Sequence, residues 1–87
     1  MSAARSLVMQ RTIVTPGERD RFFERARQRR AHYASQRCRY WLFEESELPG
    51  AFIEFAESED AAALVAALSA APEPVIDPAR LYLEVEL

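Results

Sequence analysis

The hydrophobic repeat of this chain switches twice from the two-residue period of a strand to the ~3.6-residue period of a helix and back. Residues 6–14 are β-branched and apolar with partial alternation, and Thr15-Pro16-Gly17 stops them. Residues 15–34 have helical spacing, with Phe22, Phe23, Ala26, Arg30 and Tyr33 on one stripe. Two short aromatic-rich runs follow, at 37–45 and 51–56, joined by Ser46-Glu47-Leu48-Pro49-Gly50. That connection is short enough for a hairpin, and Pro-Gly favours a type II turn. A second helical stripe, Ala61, Leu64, Val65 and Leu68, runs to about Ala71. Residues 79–87 then alternate strictly, Leu81, Leu83, Val85 and Leu87 against Arg80, Tyr82, Glu84 and Glu86, as a half-buried strand does.

The helix starts carry matching chemistry. Thr15 can cap, Pro16 suits the first helical position, and Glu18 and Asp20 complement the positive end of the dipole. Ser58, Glu59 and Asp60 do the same for the second helix, and Pro72, Pro74 and Pro78 make the segment after it a loop. The order βαββαβ predicts an α+β, ferredoxin-like domain with a four-stranded antiparallel sheet. With 87 residues there is room for one domain, residues 1–87, and one core.

In that plan both helices cover one sheet face. An antiparallel sheet left open on the other side reads as polar there, and this one does not. Tyr40 and Leu42 have one parity, Trp41 and Phe43 the other, and Phe52, Ile53 and Phe55 fall on both. If Phe43 faced Phe52 across the hairpin, Trp41 would face Glu54; a one-residue slip reverses every face. Either register leaves large aromatics uncovered, and contiguous patches of that kind are rare on monomers. The expectation is a homodimer in which a second copy covers the open face.

Charge and composition narrow the function classes. Residues 1–40 hold ten Arg and three acids, whereas residues 41–87 hold one Arg and eleven acids, with no Lys or Asn anywhere. The net charge is −3, so the two halves are expected to neutralise each other within the fold or across an interface. No nucleic-acid role is expected. RNA-recognition domains share the βαββαβ order but carry a basic-aromatic third strand, and here that strand reads A-F-I-E-F-A. One Cys and one His give no metal-ligand spacing and no disulfide framework. Cys38 reads as an inert buried thiol. With only Gly17 and Gly50 there is no phosphate-cradling loop. The longest uncharged run, residues 61–72, falls short of the ~18 residues of a membrane span. No signal-peptide pattern opens the chain. The expectation is a cytoplasmic protein without cofactor, metal, membrane or nucleic-acid partner.

Two stretches carry a family resemblance. Val14-Thr15-Pro16-Gly17-Glu18-Arg19-Asp20-Arg21-Phe22 resembles a strand end, Pro-Gly, acidic turn and helical Phe. Cys38-Arg39-Tyr40, together with Phe52-Ile53-Glu54-Phe55-Ala56-Glu57-Ser58-Glu59-Asp60-Ala61, resembles a second strand, hairpin and strand-to-helix passage. Together they look like the antibiotic biosynthesis monooxygenase-like family over most of residues 6–70. The resemblance implies two ferredoxin-like sheets closed face to face as a dimeric α/β-barrel, with a cavity in each subunit. Members include cofactor-independent oxygenases acting on polycyclic aromatics and haem-degrading enzymes. The haem branch carries an Asn, Trp and His set, but this chain has no Asn, and Ala66-Ala67-Leu68 stands where a family His is common. A haem role is not expected.

Oxygenation without a cofactor needs a substrate that becomes an electron-rich anion, and a protein that supplies a base and stabilises charge. Glu54, an acid inside an apolar strand, is the candidate base, because burial would raise its pKa. Its structural alternative is an interfacial ion pair with an Arg of the other subunit, or a structural Glu of the kind the family resemblance implies. His32, the sole histidine, is the candidate proton shuttle, or else a complement to its helix dipole. Trp41, Tyr40, Phe52 and Tyr82 are candidate walls for a small aromatic ligand, with Arg39 or Arg80 holding an anionic group. Glu84 and Glu86 are a weaker acid pair on one side of the last strand. The competing expectation is a non-catalytic dimer whose aromatic face is only an interface.

Overall fold

A computed structural model describes residues 4–71 and 80–87. Its elements run in order β1 (Ser6–Ile13), a short 3-10 turn (Pro16–Glu18), α1 (Arg19–Ser35), β2 (Arg39–Glu44), β3 (Ala51–Ser58), α2 (Ala61–Ser69) and β4 (Leu81–Leu83). The four strands form one antiparallel sheet in the order β2-β3-β1-β4, the ferredoxin-like arrangement.

The joints follow from local chemistry. Pro16 opens the 3-10 turn that feeds α1, while Thr15 stays extended and makes no side-chain cap. The end of α1 is closed by Arg37 in a left-handed conformation (φ 60°), which lets Cys38 N–H bond the Tyr33 carbonyl at 2.8 Å. Arg37, read from the sequence as strand, is therefore a helix stop. Asp60 caps α2, its Oδ1 accepting from Ala62 N at 2.9 Å.

In the hairpin, Trp41 pairs with Phe55, Phe43 with Ile53 and Glu44 with Phe52. The Phe43–Phe52 pairing is thus one residue out. The connection is two successive turns, Leu48 N–H to the Glu45 carbonyl and Ala51 N–H to the Leu48 carbonyl, and it closes on Glu45 N–H to the Ala51 carbonyl. This register decides the faces. Tyr40, Leu42, Phe52, Glu54 and Ala56 lie with Val8 under the helices. Leu7, Met9, Arg11, Ile13, Trp41, Phe43, Ile53, Phe55 and Tyr82 share the other side.

The core lies between helices and sheet: Val8, Tyr33, Cys38, Ala56, Leu64, Ala67 and Leu68, with Tyr40 and Leu81 against it. Phe22, Phe23 and Phe52 form an adjoining aromatic cluster, with centroids 5.0 Å (Phe22–Phe52) and 5.4 Å (Phe23–Phe52) apart. The helical stripes are rotated from expectation. Arg29, not Arg30, is buried with Phe22, Ala26 and Tyr33, and Ala67 replaces the exposed Val65.

The last strand is shorter than the alternation predicts. Leu83 pairs with Ser6, where β1 begins, and beyond it Glu84 N–H reaches the Arg5 carbonyl at 2.8 Å. Past that point the chain offers no described strand partner, so Leu83, Val85 and Leu87 are exposed rather than half-buried. Glu84 and Glu86 accordingly lie beyond β4, and Glu84 bonds Arg5. The three prolines and Ala79 lie outside the described residues.

The open face carries an uncovered apolar patch, interrupted by Arg11 and edged by Arg39 and Glu57. Ile13 is 61% exposed, Phe43 57%, Tyr82 49% and Trp41 39%. Phe43 and Phe55 meet edge to face at 5.8 Å. Charge neutralisation, by contrast, happens within the chain. Arg5–Glu57, Arg11–Glu45, Arg19–Glu44, Arg29–Glu54 and Arg39–Glu57 all join the basic half to the acidic half. Arg19 and Arg29 reach across from α1, Arg39 from the neighbouring strand β2, and Arg5 and Arg11 from either end of the β1 region, so the matching comes from the packing of several elements.

Candidate functional site

A polar group sits in the middle of the helix–sheet layer. Glu54, at the centre of β3, and Arg29, on the inner stripe of α1, are both buried. Arg29 Nε donates to Glu54 Oε2 at 2.7 Å, and the Tyr40 hydroxyl from β2 donates to the same oxygen at 2.5 Å. Glu54 Oε1 is buried and has no hydrogen-bond partner among the described residues. Tyr33 stacks on Tyr40 with centroids 5.8 Å apart and planes within 6°. Arg29 also lies over the Phe22 ring at 5.7 Å.

The electrostatics follow from burial. Burial opposes the charge of Arg29, but the hydrogen bond and charge of Glu54 more than offset it, so its pKa stays above the ordinary value. Burial, reinforced by Glu54, pushes the Tyr33 hydroxyl up to about 12 and raises Tyr40 as well. Both phenols are therefore neutral donors at physiological pH. A carboxylate tied to a guanidinium and a phenol is poorly placed to remove a proton through Oε2, and Oε1 is the atom left for it.

The other sequence candidates are scattered. Phe52 is buried between Phe22 and Phe23, with Arg19 above it at 5.3 Å. Trp41 and Tyr82 share the open face but stand on the two outer strands, with β3 and β1 between them. Arg39 is exposed, 3.8 Å from Glu57, which also binds Arg5. His32 Nε2 donates to the Ala67 carbonyl at 2.7 Å, tying α1 to α2. Arg80 is exposed, and Cys38 is buried, which raises its thiol pKa. A cavity shared by Trp41, Tyr82 and Glu54 is therefore not what the fold builds, since Glu54 is on the opposite side of the sheet. Among the described residues, no three His, Cys, Asp or Glu side chains form a group able to hold a metal.

Sequence reasoning missed Arg29. Its signal is the spacing Phe22, Ala26, Arg29, Tyr33, one helical face that carries a charge in line with an acid in the middle of β3.

The Tyr40 side of this group borders a cleft of about 370 Å3 between α1 and the outer strand β2. Phe23, Ala26, Tyr40 and Leu42 supply apolar surface, Arg27 and Arg30 supply charge, and Trp41 adjoins them.

No protein-family model, curated protein or solved structure matches this chain. It is a ferredoxin-like α+β domain on its topology alone.

Proposed function

We propose that this protein works as a homodimer whose two sheets close face to face, a dimeric α/β-barrel of the kind its resemblance to the monooxygenase-like family implies. The observation that carries this is the open sheet face. Ile13, Trp41, Phe43 and Tyr82 are exposed there beside Leu7, Met9, Ile53 and Phe55, on the side the helices leave bare. Apolar surface of that kind, though Arg11 interrupts it, gains free energy when a like surface removes it from water. A two-fold partner is self-complementary by construction. The ion pairs already made within the chain leave dispersion and desolvation, not charge, as the attraction. Light scattering over a dilution series tests this, with the dimer expected at about twice the 9.9 kDa chain. Phe43→Glu is expected to give a folded monomer. A wild-type monomer at all concentrations would remove the barrel.

A second reading has its own support. The partnerless Oε1 of Glu54, with Tyr40 connecting Glu54 to the α1–β2 cleft, favours binding of a small aromatic ligand on the helix side, with or without cofactor-free oxygenation. Oxygen uptake with hydroxylated polycyclic substrates separates the two forms. Equal rates for wild type and Glu54→Gln would leave binding without catalysis.

A further inference from the structure

The α1–β2 cleft brings two arginines together with aromatic rings. Most arginines of the chain are used in ion pairs, several of them joining the two halves of the sequence. The Arg30 side chain is exposed at the cleft and, like those of Arg37 and Arg80 elsewhere, makes no ion pair or hydrogen bond with any described residue. Arg27, beside Arg30, meets, among the described residues, Glu24 one turn away, at 3.2 Å between exposed side chains, a contact that solvent screens. The Phe23 ring lies on the same face of α1, one turn before Arg27, and the Tyr40 ring lines the cleft from β2. Tyr40 is not free to swing, because its hydroxyl is bonded to Glu54 and its ring is stacked on Tyr33.

We propose that this cleft binds a small aromatic carboxylate, its ring on Phe23 and Tyr40 and its carboxylate on Arg30 with help from Arg27. A guanidinium offers two parallel donors that match the two oxygens of a carboxylate. The fixed Tyr40 ring gives a preorganised stacking wall, so little ordering cost falls on binding. A volume of about 370 Å3 lies at the small end of ligand pockets, which run from about 300 to 1,000 Å3. It suits a ligand of one or two rings. Among the described residues no carboxylate lines the cleft, so an anion meets no like charge from them. This site deepens the ligand-binding reading and does not depend on the dimer.

Trp41, the sole tryptophan, adjoins the cleft and reports on it by fluorescence. The experiment titrates wild type and Arg30→Gln with 2-naphthoate and with the neutral isostere 2-naphthalenemethanol, and follows molar mass in parallel. We expect saturable quenching by 2-naphthoate, weaker by about 10- to 100-fold in Arg30→Gln, as loss of a charge-assisted hydrogen bond implies. An Arg21→Gln control, on an exposed arginine outside the cleft, is expected to bind as wild type does. Equal affinity for the acid and the alcohol, or no change in Arg30→Gln, would overturn the carboxylate site while leaving ligand binding standing. No saturable response to either probe would remove both. Quenching lost in Phe43→Glu but intact in Arg30→Gln would place the ligand on the open sheet face and overturn the cleft.

Discussion

Arg29 and Glu54, 25 residues apart in sequence, meet at 2.7 Å between α1 and the centre of the sheet, both shielded from water. A buried ion pair of this kind does not stabilise much relative to apolar residues of the same shape, but breaking it is costly. It therefore fixes how α1 docks on β3 more than it strengthens the fold.

Removing one partner should show that asymmetry. Glu54→Gln strands the Arg29 guanidinium and is expected to cost about 3–5 kcal/mol in urea unfolding, as does Arg29→Met. The double variant Arg29→Met/Glu54→Leu should cost much less than the two single changes added together. Additive losses would mean that the two groups are not energetically coupled.

The raised phenols predict an alkaline limit. Tyrosine in the unfolded chain ionises near pH 10, whereas burial holds Tyr33 up to about 12 in the fold. The native state keeps a proton that the unfolded state loses. Stability from this source is therefore complete below about pH 10 and is lost as the pH rises toward 12. Tyr40 acts in the same direction. Urea midpoints at about pH 8, 10 and 11.5 should be flat and then fall, and Tyr33→Phe should make the fall shallower.

Gly50 holds the hairpin against the end of β1. Its φ is +93°, its carbonyl accepts from Val14 N–H at 2.7 Å, and an added Cβ would stand 2.7 Å from the Val14 carbonyl oxygen. Gly50→Ala is expected to lose about 1–3 kcal/mol from backbone strain alone, with the contact pushing toward the upper end. Pro49→Ala, one residue earlier, is the control and should change the melting temperature much less.

His32 is expected to matter for stability through its bond to the Ala67 carbonyl. His32→Phe keeps the ring and removes the donor, and should cost about 1–3 kcal/mol if the carbonyl goes unpaired. Ligand quenching of Trp41 in the same variant should match wild type, because His32 does not line the α1–β2 cleft.

The order of elements, the stops at Pro16 and Asp60, the neutralisation of one half by the other and the surplus of aromatics for one sheet face were all legible in the residues. Each is local or additive: a period, a cap, a sum of charges. The hairpin register was not, because a two-residue repeat separates two faces without saying which is which. Only the double turn from Glu45 to Ala51, pinned by Gly50 against Val14, sends Glu54 inward and Trp41 outward. The choice between Arg29 and Arg30 was hidden for a related reason. Arg29 lies inside the stripe of Phe22, Ala26 and Tyr33 and Arg30 at its border, but an apolar pattern gives no reason to put a charged side chain on the inner side, and a long arginine can bury its stem from either position. Tertiary packing decided it, by placing an acid and a phenol where only the Arg29 head can reach them, and leaving Arg30 at the cleft without a partner.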